Sequence, residues 1–200
     1  NRRVQDVLEA LGEEADPRGL KANLEQMQLS SLILAVLDYS LGVDLTVVHA
    51  GDGSPFPGAA LYLWHANRDG QYSLYTAPDQ NYLRGVQEAA DDGTLSFSTI
   101  YPGCYDGRWP HMHFEVFPSL ADATSAGNRL VTSQLAMPED LCAEVYGSTA
   151  GYETSVDNLS RTSLATDMVF SDGVDLQLPT VSGTPDGADL RIALTIAVDG

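Results

Sequence analysis

From Val43 onward, apolar residues either alternate with polar ones or gather in short runs divided by turn residues. Leu45, Val47 and His49 fall on one face of an extended segment, because side chains two apart on a strand point the same way. Gly51-Asp52-Gly53 closes that segment; a run over residues 59–66 and the turn Asn67-Arg68-Asp69-Gly70 follow. Further runs cover Thr94–Ile100 after Asp91-Asp92-Gly93, then His111–Phe117, residues 174–178 and residues 190–198. Six short strands at this spacing, with little helix among them, predict an all-β protein built as an antiparallel β-sandwich. Residues 119–166 are polar and irregular, with one helical turn expected at 138–146.

The first forty residues follow another period. Val4, Val7, Leu8 and Leu11 recur at helical spacing, and after Asp16-Pro17-Arg18-Gly19 a second set follows at Leu20, Leu24 and Met27. The expected organisation is therefore a short helical N-terminal appendage over residues 1–42 and a β-sandwich catalytic domain over 43–200. The apolar stripe of the appendage is suited to packing on the body of the protein, with a homodimer contact as the alternative.

Composition narrows the partners. Twenty-eight acidic residues stand against nine arginines and the single lysine Lys21, a net charge of −18. Such a surface repels nucleic acid and anionic membranes, so neither is expected as a partner. The longest apolar runs, 32–37 and 59–64, fall far short of the roughly 20 residues a membrane-spanning helix needs. Cys104 and Cys142 stand far apart and outside any CxxC pattern, compatible with one disulfide in a secreted protein or two thiols in the cytosol.

The sharpest chemical signal is His111-Met112-His113. On a strand both imidazoles face one way while Met112, Phe114 and Val116 face the other, towards the core, which makes the pair a candidate for metal ligation. Asp106 or Glu115 could complete a zinc or iron(II) site with the two histidines, although that leaves Tyr72 and Tyr105 without a role.

The histidines close the segment TIYPGCYDGRWPHMHFEV over residues 99–116, and LWHANRDGQYS occupies residues 63–73. With NYLRGVQ at 81–87, these strings resemble, in order, the motifs of the intradiol ring-cleavage dioxygenases, the group of catechol 1,2-dioxygenase and protocatechuate 3,4-dioxygenase, and especially their short single-domain bacterial members. The resemblance implies a non-haem iron(III) enzyme that uses dioxygen to open a catechol to a muconate-type diacid. It places the four iron ligands on Tyr72, Tyr105, His111 and His113, the active-site arginine on Arg108, and a supporting glutamine on Gln134. Two anionic phenolates and two neutral imidazoles suit a hard ferric ion. On this reading Tyr105 is the ligand that gives way to substrate and takes up a proton, while Arg108 stabilises negative charge developing on the ring.

Several neighbours have plainer readings. His65 and His49 read as structural, Tyr75, Tyr82 and Tyr101 as packing residues, and Trp109 as either pocket wall or core. The sequence departs from the family in lacking, over residues 1–42, the glycine-, proline- and tyrosine-rich segment that crosses near the site in many relatives. A short stretch between Tyr72 and Asn81 is expected to widen the pocket mouth. Scarce cations favour a neutral catechol or hydroxyquinol over a carboxylated one, with Arg84 as the candidate partner if a carboxylate binds. Export of related short bacterial sequences favours secretion. Two readings compete with the enzyme: a transthyretin-like β-sandwich acting as a non-catalytic binding module, and a metal-dependent hydrolase or oxygenase using the histidine pair with a carboxylate.

Overall fold

The computed structural model describes residues 40–185 and 189–199. The helical repeats expected at Val4 to Leu11 and Leu20 to Met27 lie outside these residues. Eight strands are formed: β1 (Ser40–His49), β2 (Ala60–His65), β3 (Arg84–Glu88), β4 (Thr94–Ile100), β5 (His111–Phe117), β6 (Val131–Ala136), β7 (Thr180–Ser182) and β8 (Arg191–Val198). Two helices, α1 (Glu139–Ser148) and α2 (Glu153–Leu159), follow β6. The strands make two four-stranded sheets, ordered β4-β1-β8-β7 and β3-β2-β5-β6. Among the described residues no helix is long and apolar enough to cross a membrane.

Alternation drives the packing. In β1, Leu41, Val43, Leu45 and Val47 are buried while Asp44 and Thr46 are half-exposed. In the second sheet Leu61, Leu63, Met112, Phe114, Val116 and Leu135 turn inward, and these side chains fill the space between the sheets with those of β1 and Ile192, Ile196 and Val198 of β8. Apolar area removed from water is the main favourable term here.

The sandwich is not purely antiparallel. β8 lies beside β1 and runs parallel to it, in register from Gly42 with Arg191 to His49 with Val198. Parallel neighbours need a long crossover, which the whole second sheet and both helices supply here. Residues 174–178 do not form a strand either; they turn, with Gln177 and Leu178 N–H donating to Val174 O, and the strand comes later at β7. Gln177 O accepts from Ala136 N, so this turn caps the edge of β6. The helical turn expected at 138–146 is realised as α1, which extends to Ser148 and buries Leu141, Cys142, Val145 and Tyr146.

The helices brace one loop. Tyr146 donates its hydroxyl to Pro102 O at 2.8 Å and Tyr152 to Tyr101 O at 2.7 Å, while in α2 Ser155 Oγ accepts from Cys104 N at 2.9 Å and Asn158 Nδ2 donates to Cys104 O at 2.8 Å. Residues 101–104 are thereby fixed through their backbone polar groups, which buried loops must satisfy somewhere. Cys104 and Cys142 are both buried free thiols, so no disulfide joins them. Burial pushes each thiol up to about 12.

Core and surface are expected to respond differently to truncation. Leu61, fully buried between the sheets, is expected on substitution by alanine to cost about 2–5 kcal/mol in urea unfolding. Asp44→Ala, which removes the half-exposed pair with Arg191, should cost less than about 1 kcal/mol.

Candidate metal centre

Register across the second sheet assembles the site. Arg84 of β3 lies opposite Trp64 of β2, Trp64 opposite His113 of β5, and His113 opposite Gln134 of β6, a single cross-strand row. Leu63 and Phe114, one position along, point into the intersheet core. The row therefore occupies the sheet's other face, where Trp64, Ala66, Tyr72, Tyr62 and Tyr105 form a separate aromatic cluster. Trp64 stacks flat on His113, with centroids 4.8 Å apart and planes 8° apart, and Tyr62 stacks on Trp64 at 5.0 Å.

The two histidines share this side of β5, and their Nε2 atoms stand 3.1 Å apart. His111 Nδ1 lies 2.5 Å from Trp109 O. A carbonyl can only accept, so Nδ1 carries the proton and Nε2 presents a lone pair. Around that nitrogen the hydroxyl of Tyr72 lies at 3.2 Å and that of Tyr105 at 3.4 Å.

Both tyrosines arrive on loops that interlock. In the turn after β2, Asn67 Oδ1 accepts from Asp69 and Gln71 N–H, and Gly70 takes a φ of +77°. A Cβ at Gly70 would come within 2.9 Å of Tyr105 Cβ, and one at Gly103 within 2.5 Å of Asn67 O. Glycine is thus required at both places for the two loops to touch. Beyond Tyr72 the chain runs through Leu74 and Leu83, both with positive φ, a conformation costing a leucine about 1–2 kcal/mol. Arg84 closes this loop: its Nε donates to Ser73 Oγ at 2.8 Å and its Nη2 to Ser73 O at 2.5 Å, while Nη1 donates to Tyr62 Oη at 2.9 Å. Tyr75 lies over the guanidinium at 4.6 Å and is exposed. Arg84 is only 5 % exposed, so it is a structural cation and not an available partner for a substrate carboxylate.

The electrostatics suit neutral imidazoles. Burial depresses His111 to about 4, and burial with the neighbouring charge of His111, Arg108 and Arg84 depresses His113 to about 3. The phenols are raised: Tyr72 by burial and by Tyr105, and Tyr105 by burial opposed by Arg108. Tyr72 is the more buried of the two.

Arg108 and Gln134 also meet, Nη2 donating to Oε1 at 2.6 Å. Asp167, which no motif or periodicity marks, accepts from Arg108 Nε at 2.9 Å and Nη2 at 3.3 Å. Burial alone would raise this carboxyl, but the bonds from Arg108 and from the N–H groups of Trp109 and Val169 hold it below the usual range. Trp109 packs in the core with Ala136 and Phe170, and its indole N–H donates to Met137 O. His65 is buried between Ala66 O at 2.8 Å and Thr99 Oγ1 at 2.7 Å. His49 stacks on Phe56, Tyr101 is fully buried, and Tyr82 donates to Gln71 O.

The carboxylates that could have joined the histidines are turned elsewhere. Glu115 accepts from Thr132 and faces Arg129, and Asp106 is exposed beside Arg161. Among the described residues no group of three or more histidine, cysteine, aspartate or glutamate side chains could hold a metal. The donor set that does converge is two phenols and two imidazoles. Its spacing of 3.1–3.4 Å about His111 Nε2 suits neighbouring ligands on one first-row ion, whose bonds run to about 2.0–2.2 Å, and its phenolic oxygens suit a hard ferric one.

A family model described as "Dioxygenase" matches residues 30–144. A chlorocatechol 1,2-dioxygenase from Rhodococcus opacus is 41% identical over 56 residues, which are 27% of this chain and only 22% of that enzyme. An intradiol ring-cleavage dioxygenase from Tetranychus urticae superposes with a TM-score of 0.67 at 24% identity, covering 82% of each chain. Catechol 1,2-dioxygenase from an Acinetobacter species superposes with a TM-score of 0.53 at 18% identity, covering 82% of this chain and 53% of that one. At these identities the structural likeness shows a shared fold.

The depressed imidazoles tie stability to pH. Unfolding restores His65, His111 and His113 towards 6.5 from about 4, 4 and 3, so between those values the unfolded chain binds more protons. Their contribution is complete above pH 6.5 and is lost as pH falls towards 4. The unfolding midpoint of the metal-free protein should drop across that window and stay level from pH 7 to 8; a flat profile between pH 6.5 and 4 would contradict the burial of these rings.

Proposed function

This chain belongs to the intradiol ring-cleavage dioxygenase family, and from that membership we propose that it holds ferric iron on Tyr72, Tyr105, His111 and His113 and opens a catechol between its hydroxyl-bearing carbons. The observation that carries the reading is the gathering of two phenol oxygens and the second imidazole nitrogen within 3.1–3.4 Å of His111 Nε2.

Bound there, ferric iron would supply the Lewis acidity and one-electron chemistry by which a catechol reacts with dioxygen to give a muconate-type diacid. The chain's own residues do the rest. His111 and His113 stay neutral through the physiological range, so they donate lone pairs without first losing protons. Trp109 O fixes the tautomer of His111, and the flat stack of Trp64 fixes the plane of His113. Tyr105, less buried than Tyr72 and acted on by Arg108, is the phenol placed to exchange with a substrate hydroxyl and take up its proton. Arg108, oriented by Gln134, stabilises negative charge on the ring.

The preferred substrate is a neutral catechol or hydroxyquinol. The net charge of −18 disfavours anions, Arg84 is consumed by Ser73 and Tyr62, and Arg108 is already paired with Asp167.

Loaded with ferric iron, the protein should turn burgundy through tyrosinate-to-iron charge transfer, and oxygen uptake should accompany ring opening. Tyr105→Phe and His111→Ala should each lower the rate on the order of 100-fold or more; an undiminished rate in either variant defeats the assignment. Across a panel of catechols, kcat/KM should be higher for catechol or hydroxyquinol than for protocatechuate, and the reverse order would refute the substrate reading alone.

A further inference from the structure

Asp167 lies in the segment after α2, outside the residues 30–144 that match the family model, whereas Arg108 and Gln134 lie within them. Its side chain is wholly buried. One oxygen, Oδ1, accepts from Val169 N at 2.8 Å and Phe170 N at 3.3 Å, a local turn that an asparagine could make equally well. The other oxygen has no local partner. Oδ2 accepts from Arg108 Nε at 2.9 Å and from Trp109 N at 2.7 Å, residues nearly sixty positions earlier, and Oδ1 also faces Arg108 Nη2 at 3.3 Å.

We propose that Asp167 is a positioning residue for ring cleavage: its buried carboxylate sets the plane of the Arg108 guanidinium. The proposal rests on the reading of Arg108 given above. Five donors occupy the two carboxylate oxygens, which have about four lone-pair sites, so Asp167 has no capacity left for substrate and acts through its neighbours. A guanidinium is planar, and bonds at Nε and Nη2 to one carboxylate fix that plane. Gln134 Oε1, on the same Nη2 at 2.6 Å, fixes it from the β6 side. Without Asp167 the arginine would keep its charge but lose the orientation that aims it at the site.

The test is a double-variant cycle on the iron-loaded protein with catechol. Asp167→Asn keeps the local turn and removes the paired charge; kcat should fall on the order of 10- to 100-fold with KM nearly unchanged and the charge-transfer band kept. Arg108→Gln should lower kcat comparably, and adding Asp167→Asn to it should cost nothing more. A second readout needs no iron: the Arg108 Nε–H, slow to exchange in the wild type, should exchange freely in Asp167→Asn. If that single variant does not fold, the neutral pair Arg108→Gln/Asp167→Asn still answers the question against Arg108→Gln alone. A further tenfold loss in that pair, or full kcat in Asp167→Asn while Arg108→Gln is impaired, overturns the proposal and leaves the proposed function standing. A wild-type protein that opens no catechol takes down both.

Discussion

Everything at this centre depends on two uncharged imidazole nitrogens held 3.1 Å apart on a buried strand face. Burial keeps both rings neutral, near 3 to 4, and with Nδ1 of His111 protonated its Nε2 accepts from the neighbouring phenol hydroxyls. Two phenols crowd the same point while their own burial resists ionisation. The convergence of these four side chains on one point is enforced by the surrounding structure.

The enforcement comes from three directions. Register in the second sheet sets Trp64 flat on His113 and Gln134 beside it. The helices hold the 101–104 loop through hydrogen bonds to backbone groups, with Ser155 and Asn158 gripping the N–H and the carbonyl of Cys104 just before Tyr105. The C-terminal segment reaches back through Asp167 to Arg108 and Trp109. None of these contacts is an apolar contact of the intersheet core, although that core supplies the rigid platform they stand on.

That division explains what the sequence could reveal. β4 and β5 are formed over the residues that alternation marked, Thr94–Ile100 and His111–Phe117, because one face of each packs on the core. β3 and β6 carry too few apolar residues to stand out: RGVQE and VTSQLA owe their strand form to neighbours on the sheet. The run at 174–178 was apolar enough to suggest a strand, yet Leu176 is largely exposed and the segment turns to cap β6. The parallel pairing of β1 and β8 is a matter of chain path, which local pattern does not encode. At the site, the motif strings marked the tyrosines, histidines, Arg108 and Gln134 that the structure gathers. Asp167 and α2 stayed hidden because they act by hydrogen bonding, and the buried residues of α2 are Ser155 and Asn158, which have no hydrophobic period.

Arg84 shows what the fold makes of its few cations. It is buried beneath Tyr75 against Ser73 and Tyr62, and among the described residues no carboxylate is paired with it. Its charge adds a small bias at Tyr72 and His113, towards the phenolate of one and the neutral form of the other. A chain rich in exposed carboxylates thus commits one of its few cations to holding the shape of the loop that carries Tyr72.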